Sequence, residues 1–319
     1  MKCNVFFMAV DYAKLGVKIG LELHQQLDSG SKLFCNCPIR RDEDMPIVVK
    51  RKLRAVAGEL GQIDPAAAQE HMRKKTFYYE MNPASACLVE LDEDPPKQMN
   101  PDALRIAIQI SKLLNCRVVD ELHVMRKTII DGSAVSGFQR TALVATNGYM
   151  KTTFGKIGIQ TVMLEEDSAT PVKQVDGAIH YRLDRLGVPL IEVATTPDMR
   201  TPLQAKEAAK TLGTLFRSSA VRRGIGTIRQ DINISIPEGA RIEIKGFQEL
   251  EKIPQVVENE ISRQLALLEI KKELKKRGIR SVKEKPKHVT NIFKNANNRL
   301  IRRLIRDGGK VFAAKIPGF

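Results

Sequence analysis

Alternating apolar and polar residues mark the first strand that the sequence predicts, in the stretch GVKIGLELHQQL at residues 16–27. This period of two is typical of a half-buried strand. Glu22 and His24 lie on the polar face and, being two residues apart, project to the same side. A catalytic metal needs about three protein ligands or more. This stretch alone therefore fits a solvated strand face better than a metal site.

Similar patterns predict the other elements of the chain. Strands are predicted at 142–154, 156–166, 178–183, 188–194, 227–236 and 241–247. A proline in the first turn begins each of three predicted helices, at 101–115, 202–219 and 254–278, and one more helix is predicted at 291–309 before a strand entry at 310–319. Antiparallel strands among a few helices, without regular β-α-β alternation, predict an α+β fold.

The polar, proline-containing segment at 279–290 predicts a domain boundary. We therefore expect one domain at 9–280 and the beginning of another at 281–319. Residues 1–8 look like an extension before Met8, because they lack the pattern of a signal peptide. No apolar run approaches the roughly 20 residues of a membrane span, so we expect no membrane association and a cytoplasmic protein.

Positive charge is concentrated at the C-terminal end. The net formal charge is +15, and residues 261–319 contain 17 Lys and Arg against 4 Asp and Glu. A neutral body with a basic end indicates a polyanion partner, which in the cytoplasm is usually nucleic acid. Few aromatic residues accompany these charges, so we expect contacts with phosphates and not base stacking. A solvated basic helix is the alternative interpretation.

The five cysteines are odd in number and scattered, which argues against a disulfide framework. Cys35 and Cys37 form a C-x-C pair that could be half of a zinc site. No second pair with zinc spacing follows it, so reduced structural thiols are the favoured interpretation.

Two strands in the second half of the chain repeat the alternation of the first. In TIRQDINISI and ARIEIKGF, isoleucines alternate with polar residues, and PEGA at 237–240 supplies turn residues. A hairpin with an odd loop of about five residues would bring both polar faces to one side. The patch would then contain Asp231, Asn233, Glu243 and Lys245. Such a patch fits a metal and phosphate site as well as a solvated sheet face.

Further acids lie in and after neighbouring strands. LEEDSAT contains Glu165, Glu166 and Asp167, and alternation does not decide which of them points inward. Glu192 lies inside an apolar strand, where an isolated carboxylate is costly unless it is paired or metal-bound. The sequence contains no glycine-rich nucleotide loop. If ATP is used, carboxylate-held magnesium and basic side chains must bind it.

These motifs together resemble the B/E family of tRNA-dependent amidotransferase subunits. The resemblance is carried, in order, by GLELHQQLDSGSKLFCNCP, LEEDSAT, YRLDRLGVPLIEVATTPDMRTP, RQDINISI and EIKGFQELEKIP, and it covers residues 9–319. HQQL and the C-x-C pair are closer to the archaeal E branch than to the bacterial B branch. The resemblance implies a catalytic cradle domain similar to those of glutamine synthetase and the guanidino kinases. A truncated insertion domain resembling part of aspartyl-tRNA synthetase would follow at 281–319.

The resemblance also implies a ligase reaction in protein biosynthesis. Mg²⁺-ATP, in which Mn²⁺ can replace Mg²⁺, would phosphorylate the γ-carboxylate of Glu-tRNA(Gln), and ammonia from a partner, the asparaginase-like D-type glutaminase, would then displace the phosphate. Two alternatives remain: a bacterial B-type protein that also acts on Asp-tRNA(Asn), and a non-catalytic RNA-binding scaffold. The basic segment after residue 283 argues against the first, and the complete set of acids argues against the second.

The resemblance assigns roles to particular residues. The implied metal ligands are Glu22, His24, Glu166, Asp231 and Glu243. The implied catalytic residues are Glu166, Arg126, Lys127, Arg229, Lys245 and Glu192. Arg126 and Lys127 match a segment that lines the substrate site, and Arg229 and Lys245 would offset phosphate charge. For Glu192, a buried structural acid and a supporting residue of the metal site are both open.

Overall fold

The computed structural model describes residues 11–52, 55, 57, 58, 61–73, 75–175, 177–279, 281 and 285–316. The extension predicted at 1–8 lies outside these residues. The strands are β1 (Lys18–Gln26), β2 (Ile47–Lys52), β3 (Thr76–Met81), β4 (Arg117–Val118), β5 (Val124–Thr128), β6 (Phe138–Thr152), β7 (Gly155–Glu166), β8 (Thr170–Val175), β9 (Ala178–Arg182), β10 (Pro189–Thr195), β11 (Ile228–Ser235), β12 (Ile242–Phe247), β13 (Lys287–His288) and β14 (Phe312–Ala313). The helices are α1 (Pro65–Met72), α2 (Pro101–Leu113), α3 (Pro202–Arg217), α4 (Ile253–Lys276) and α5 (Arg299–Arg306), with 3₁₀ turns at Leu250–Lys252 and Thr290–Phe293.

The large sheet has the strand order β12-β11-β1-β10-β7-β6-β4, and β5 also pairs with β6. Every pairing within it is antiparallel. The predicted mixed class with an antiparallel sheet is confirmed, and the strands that carry the quoted motifs are neighbours. β1 lies between β10 and β11, so the first predicted strand is central to the sheet.

Helices α2 and α3 cover one face of this sheet. Each begins at a capped proline turn: the side chain of Asn100 accepts hydrogen bonds from the first turn of α2, and Thr201 and Gln204 form a capping box at α3. α3 contacts β1, and α2 contacts β6 and β7. Apolar residues of β1 such as Leu21 and Leu23 are at most 1% exposed. The helices thus bury one face of the sheet, and the polar face of β1 is left for the site.

A second, smaller sheet has the order β2-β3-β9-β8. β3 and β9 are parallel, which the predicted antiparallel pattern did not include. Its buried side chains form a cluster around Phe77, Tyr79 and Tyr181. The Tyr79 hydroxyl donates to the Gly132 carbonyl oxygen at 2.7 Å, and the Tyr181 hydroxyl donates to the Asp131 carbonyl oxygen at 3.0 Å. The small sheet therefore supports the loop 129–137, which lines a cavity of about 430 Å³.

The chain divides into two compact units, Met1–Glu260 and Ile261–Phe319, with the division inside α4. The domains predicted at 9–280 and 281–319 stay predictions. The single helix predicted at 291–309 is wrong: residues 290–293 form a 3₁₀ turn, and α5 begins only at Arg299. The reason is Asn298, whose side chain accepts hydrogen bonds from the backbone of Leu300 and Ile301 and so caps a new helix.

No helix in the described part of the chain combines the length and the apolar content that crossing a bilayer requires.

We predict that Gly132→Ala destabilises the protein. Gly132 has φ +85°, and a Cβ atom there would lie 2.3 Å from Cε1 of Phe77, so both backbone strain and a clash oppose the substitution. We expect the free energy of unfolding in urea to fall by about 2 kcal/mol or more. Gly20→Ala is the control, because its added Cβ meets only ordinary contacts of 3.7 Å or longer. Equal stabilities of the two variants would contradict the packing described for this loop.

Candidate active site

Strand register brings the predicted acids together on one face of the large sheet. In antiparallel pairs, residues directly opposite each other project to the same side. His24 of β1 lies opposite Glu192 of β10, and Glu22 lies opposite Asp231 of β11. Asn233 in turn lies opposite Glu243 of β12. The solvated-face interpretation fails for His24 and Asp231, which are only 7% and 6% exposed.

The first group of possible metal ligands consists of His24, Glu165 and Glu192, whose donor atoms lie within 4.8 Å of one another. His24 Nε2 and Glu192 Oε2 are 2.9 Å apart. The buried Nδ1 of His24 has no hydrogen-bond partner among the described residues. When Nδ1 carries the proton, Nε2 has a free lone pair on the side of the ring that faces Glu192, so both residues can bind one cation.

The second group consists of Glu22, Asp231 and Glu243, again with donor atoms within 4.8 Å. A β-bulge between Gln230 and Ile232 places Gly246, at φ +67°, beside Asp231. The Gly246 N–H donates to Asp231 Oδ1 and orients this carboxylate. The predicted hairpin and its shared polar face are confirmed by the register. The loop is longer than predicted, with seven residues between the last pair, Ile234 and Ile242.

Negative charge accumulates across the two groups. Burial, followed by the nearby charges of Glu192 and Glu243, raises the pKa of Glu22. Burial and the charge of Glu192 also raise the pKa of Glu165. Burial alone would raise the pKa of Glu192, but its hydrogen bond with His24 and nearby positive charges hold that pKa below its usual value. These carboxylates therefore destabilise one another, and a bound cation would relieve the repulsion.

Glu166 belongs to neither group, and Glu165 takes the place that was expected for it beside His24. Arg140 Nη1 lies 3.1 Å from Glu166 Oε2, and both side chains are nearly buried, at 12% and 9% exposure. The guanidinium of Arg140 also lies 5.8 Å from the ring centroid of Phe34 and 5.4 Å from that of Phe138. Burial raises the pKa of Glu166, and Arg140 opposes this effect. Glu166 is thus held in a fixed ion pair at the cavity wall.

The acids adjoin a cavity of about 430 Å³. Three of the predicted basic residues line it: Lys127, Arg229 and Lys245. Lys127 Nζ is 3.9 Å from Glu165 Oε2 and 3.7 Å from Glu192 Oε2. Lys245 Nζ is 3.0 Å from Glu243 Oε2, and this hydrogen bond raises the pKa of Lys245. Cations and carboxylates thus alternate around a space that is large enough for a small anionic substrate.

Arg126 does not line this cavity. It neighbours Lys127 on β5, so their side chains point to opposite faces. Arg126 lines a second cavity of about 790 Å³, and its guanidinium lies 5.7 Å from the ring centroid of Phe138. Arg140 and Phe138 line both cavities and form part of the wall that they share. A catalytic role for Arg126 stays a prediction.

A third set of close ligand atoms contains Cys35, Cys37, Cys87 and Glu90. The sequence indicated only the first two, because Cys87 and Glu90 come from a distant part of the chain. The Cys35 thiol donates to Glu90 Oε1 at 2.9 Å, and the fully buried Lys32 ammonium lies 3.3 Å from the same oxygen. Glu90 thus already has a positive partner, and these cysteines are free thiols.

The site contains residues that the sequence patterns missed. Arg140 gave no signal, because its role depends on the pairing of β6 with β7. Asp167 was noted only as one of three adjacent acids. It is completely buried and accepts a hydrogen bond of 2.7 Å from Gln26 Nε2, and Arg229 Nη1 lies 3.4 Å from its Oδ1. Because β7 is apolar on both faces near its end, only the register identifies Glu165 as the acid beside His24.

The two ligand groups fit divalent cations. Each offers three donors, five of the six donors are carboxylates, and hard oxygen ligands suit Mg²⁺ while an imidazole also suits Mn²⁺. The raising effect of neighbouring carboxylates on the pKa values of Glu22 and Glu165 favours a cation in each group. In the first group, His24 adds a ring nitrogen close to Glu192.

Comparison with known proteins gives a consistent result. The model of the GatB/GatE catalytic domain matches residues 17–303. A relative from Pyrococcus furiosus, the E subunit of glutamyl-tRNA(Gln) amidotransferase, is 49% identical over 313 residues, which is 97% of this chain and 50% of the relative. Proteins of the same name from Pyrococcus abyssi and Methanocaldococcus jannaschii are 50% and 49% identical over 97% and 98% of this chain, and over 49% and 50% of their own lengths. The chain spans about half the length of these curated relatives.

We predict that Arg140→Ala costs about 3–5 kcal/mol in the free energy of unfolding, because it leaves the charge of Glu166 buried without its partner. Urea denaturation at neutral pH measures the effect. Arg105→Ala is the control: Arg105 is exposed and pairs only with exposed Asp102, so we expect a change within about 0.5 kcal/mol. A loss below about 1 kcal/mol for Arg140→Ala would show that the ion pair does not hold Glu166 in place.

Proposed function

The chain belongs to the GatB/GatE family, and from this membership we propose that it carries the kinase and amidation site of a glutamyl-tRNA(Gln) amidotransferase. The observation that supports the proposal most strongly is the pair of ligand groups on one sheet face, beside a cavity lined by Lys127, Arg229 and Lys245. The names of the relatives indicate the substrate, Glu-tRNA(Gln). The basic side chains, together with cations held by the acids, would form a site for anions.

The proposed reaction has two steps. In the first, a γ-carboxylate oxygen of the tRNA-bound glutamate attacks the γ-phosphorus of ATP, the bond to the β-phosphate oxygen breaks, and ADP leaves. In the second, ammonia attacks the γ-carbonyl carbon of the acyl phosphate, and inorganic phosphate leaves with loss of a proton. The product is Gln-tRNA(Gln). The first step brings two anions close together, the carboxylate and the γ-phosphate, and the second requires ammonia to be positioned at the acyl phosphate. Positioning and charge neutralisation are therefore what the protein must supply.

The chain's own side chains have defined tasks in this scheme. Lys127, Arg229 and Lys245 line the cavity and can contact phosphate oxygens. Arg140 positions Glu166 at the wall, and Asp167, with Gln26 and Arg229, fixes the adjoining part of the same wall. Glu166 and Arg126 stay candidates for contacts with the substrate.

Divalent cations, Mg²⁺ or in its place Mn²⁺, would be held by His24, Glu165 and Glu192 and by Glu22, Asp231 and Glu243, and would neutralise charge on the transferring phosphoryl group. Of the five metal ligands predicted from the sequence, Glu22, His24, Asp231 and Glu243 are retained in these groups. Glu166 is assigned to the wall of the catalytic cavity instead. Glu192 is proposed as a ligand instead of a buried structural acid.

We further propose that ammonia comes from a partner protein, the asparaginase-like D-type glutaminase, within a heteromeric complex. A cytoplasmic location is proposed because tRNA, ATP and a reducing environment occur there, and the described cysteines at 35, 37, 87 and 116 are free. We propose also that the large sheet is a cradle of the glutamine synthetase and guanidino kinase type. Its antiparallel order, with acids on one face, supports this likeness, and superposition on those enzymes tests it.

We predict that Glu192→Gln abolishes amidation. The substitution removes a charged donor next to His24 with almost no change in volume, and we expect the rate of Gln-tRNA formation to fall at least about 100-fold. The measurement supplies the protein with Glu-tRNA(Gln), Mg²⁺-ATP and ammonium ions as the nitrogen donor, so that no glutaminase is needed.

Glu80→Gln is a matched control. Glu80 also pairs with a histidine, because His180 Nδ1 lies 2.8 Å from Glu80 Oε1, but this pair is in the small sheet. We expect it to retain the rate of the unaltered protein. Unchanged Gln-tRNA formation by Glu192→Gln would refute the proposed role of Glu192 as a ligand. Absence of Gln-tRNA formation by the unaltered protein would refute the catalytic proposal and favour the RNA-binding scaffold.

A further inference from the structure

A separate cavity of about 270 Å³ lies at the end of β1 that carries Gln26, outside the proposed catalytic machinery. Its lining is dominated by arginines. We call this cavity the arginine pocket, and its arginines are Arg40, Arg41, Arg182, Arg185 and Arg222. The lining includes one acid, Asp184. Guanidinium groups present forked donors that match phosphate oxygens, so such a lining favours a phosphate group.

Not all of this positive charge is satisfied within the protein. Arg40 and Arg182 form close ion pairs with Asp42 and Asp184, at 2.7 Å and 2.8 Å. Arg41 is different, because it is exposed and makes no ion pair or side-chain hydrogen bond with any described residue.

Arg222 is also under-satisfied. Its Nε is buried and has no hydrogen-bond partner in the described structure, and its nearest acid, Asp28, is 3.9 Å away. Arg41 and Arg222 therefore offer the donors that remain for a ligand.

The arginine pocket adjoins the catalytic cavity. Gln26 lines the arginine pocket, and His24, two residues earlier on β1, lines the catalytic cavity. Two strand residues span only about 7 Å. Asp167, which lines the catalytic cavity, joins them: Gln26 Nε2 donates to its Oδ2, and Arg185 Nε lies 3.7 Å from the same oxygen. A ligand that occupies the arginine pocket can therefore extend from a substrate whose reacting end lies in the catalytic cavity.

An exposed apolar residue lies at the edge of the pocket. Ile225 is fully exposed, at 101% relative accessibility, and is flanked by Gly224 and Gly226, both with positive φ. Ile225 and Gly226 also line the pocket. An isolated exposed isoleucine on a glycine-flanked loop can contact a sugar or a base next to a bound phosphate. The loop thus adds an apolar contact to the charged ones.

We propose that the arginine pocket binds a backbone phosphate of the RNA substrate close to its aminoacylated end, with Arg41 and Arg222 as the phosphate donors and Ile225 against the adjacent nucleoside. This inference rests on the proposed function, because it identifies the RNA as the amidation substrate. At about 270 Å³ the pocket is below the usual range of about 300–1,000 Å³ for complete small-molecule ligands, which favours one group of a larger chain over a free nucleotide. Phosphate contacts set register and orientation without reading sequence. The pocket would therefore fix where the acylated end enters the catalytic cavity.

The test measures tRNA binding by the whole 319-residue protein at several salt concentrations, with fluorescently labelled tRNA. The variants are Arg41→Gln, Arg222→Gln and the double variant, and Arg105→Gln on α2 is the control. We expect each pocket variant to weaken binding severalfold and to lower the slope of log K against log salt by about 0.7–0.9. The loss should be the same for tRNAs of different sequence, and Arg105→Gln should change neither quantity. Arg41→Gln is the decisive variant. Arg222 also donates a hydrogen bond to the Ile39 carbonyl oxygen, so replacing Arg222 removes a contact within the protein as well as a donor to the pocket.

Ile225→Ala should weaken binding without changing the salt slope, and Leu203→Ala, which also removes an exposed apolar side chain, should not weaken it. The second arm titrates the same variants with ATP, whose affinity should be unchanged. If ATP affinity falls and tRNA affinity does not, the phosphate belongs to the nucleotide and the proposal is overturned. The proposal is also overturned if Arg41→Gln and the double variant bind tRNA with unchanged affinity and unchanged salt slope. It is overturned as well if Arg105→Gln loses as much tRNA affinity and salt slope as the pocket variants lose.

The outcomes also separate this inference from the proposed function. Glu192→Gln should bind tRNA with the affinity and salt slope of the unaltered protein. If the protein makes no Gln-tRNA but the pocket variants lose salt slope, the proposed function fails and the phosphate pocket stands. If amidation proceeds and the pocket variants bind tRNA with unchanged salt slopes, the proposed function stands and only the phosphate pocket is refuted.

Discussion

Repulsion among the carboxylates on one face of the large sheet is the constraint on which the rest of the structure depends. Burial, followed by the charge of Glu192, raises the pKa values of both Glu22 and Glu165. Two like charges 4 Å apart repel by about 4 kcal/mol at an effective dielectric constant of 20. A protein keeps such an arrangement only if other groups compensate for it. Lys127 and Lys245 compensate in part, and the proposed cations would complete the compensation.

The fold holds these acids by making their strands central and rigid. β1 is paired on both sides, and its opposite face is buried under helices, so the backbone that carries Glu22 and His24 is fixed beside β10 and β11. A bulge next to Gly246 directs a backbone N–H at Asp231. The small sheet adds the loop that closes the cavity, through hydrogen bonds from Tyr79 and Tyr181. Stability and chemistry thus rest on the same strands.

The sequence predicted those parts that depend on local pattern. Alternation placed Glu22 and His24 on one face and joined β11 and β12 in a hairpin, because a period of two is readable in one strand at a time. Pairing between distant strands is not readable in this way. Arg140 reaches Glu166 only through the register of β6 and β7, and the choice of Glu165 beside His24 depends on the same register. The helix predicted at 291–309 was wrong because its apolar spacing did not reveal that Asn298 caps a new helix.

The two groups of acids on one sheet face are proposed to bind one cation each. X-ray diffraction from crystals soaked with Mn²⁺ and a non-hydrolysable ATP analogue, recorded at the manganese absorption edge, tests these two sites most directly. We expect two anomalous peaks, one among His24, Glu165 and Glu192 and one among Glu22, Asp231 and Glu243. The analogue's terminal phosphate should lie beside both peaks. A phosphate bound away from these groups, or the absence of manganese from both, would show that the acids are not cation sites.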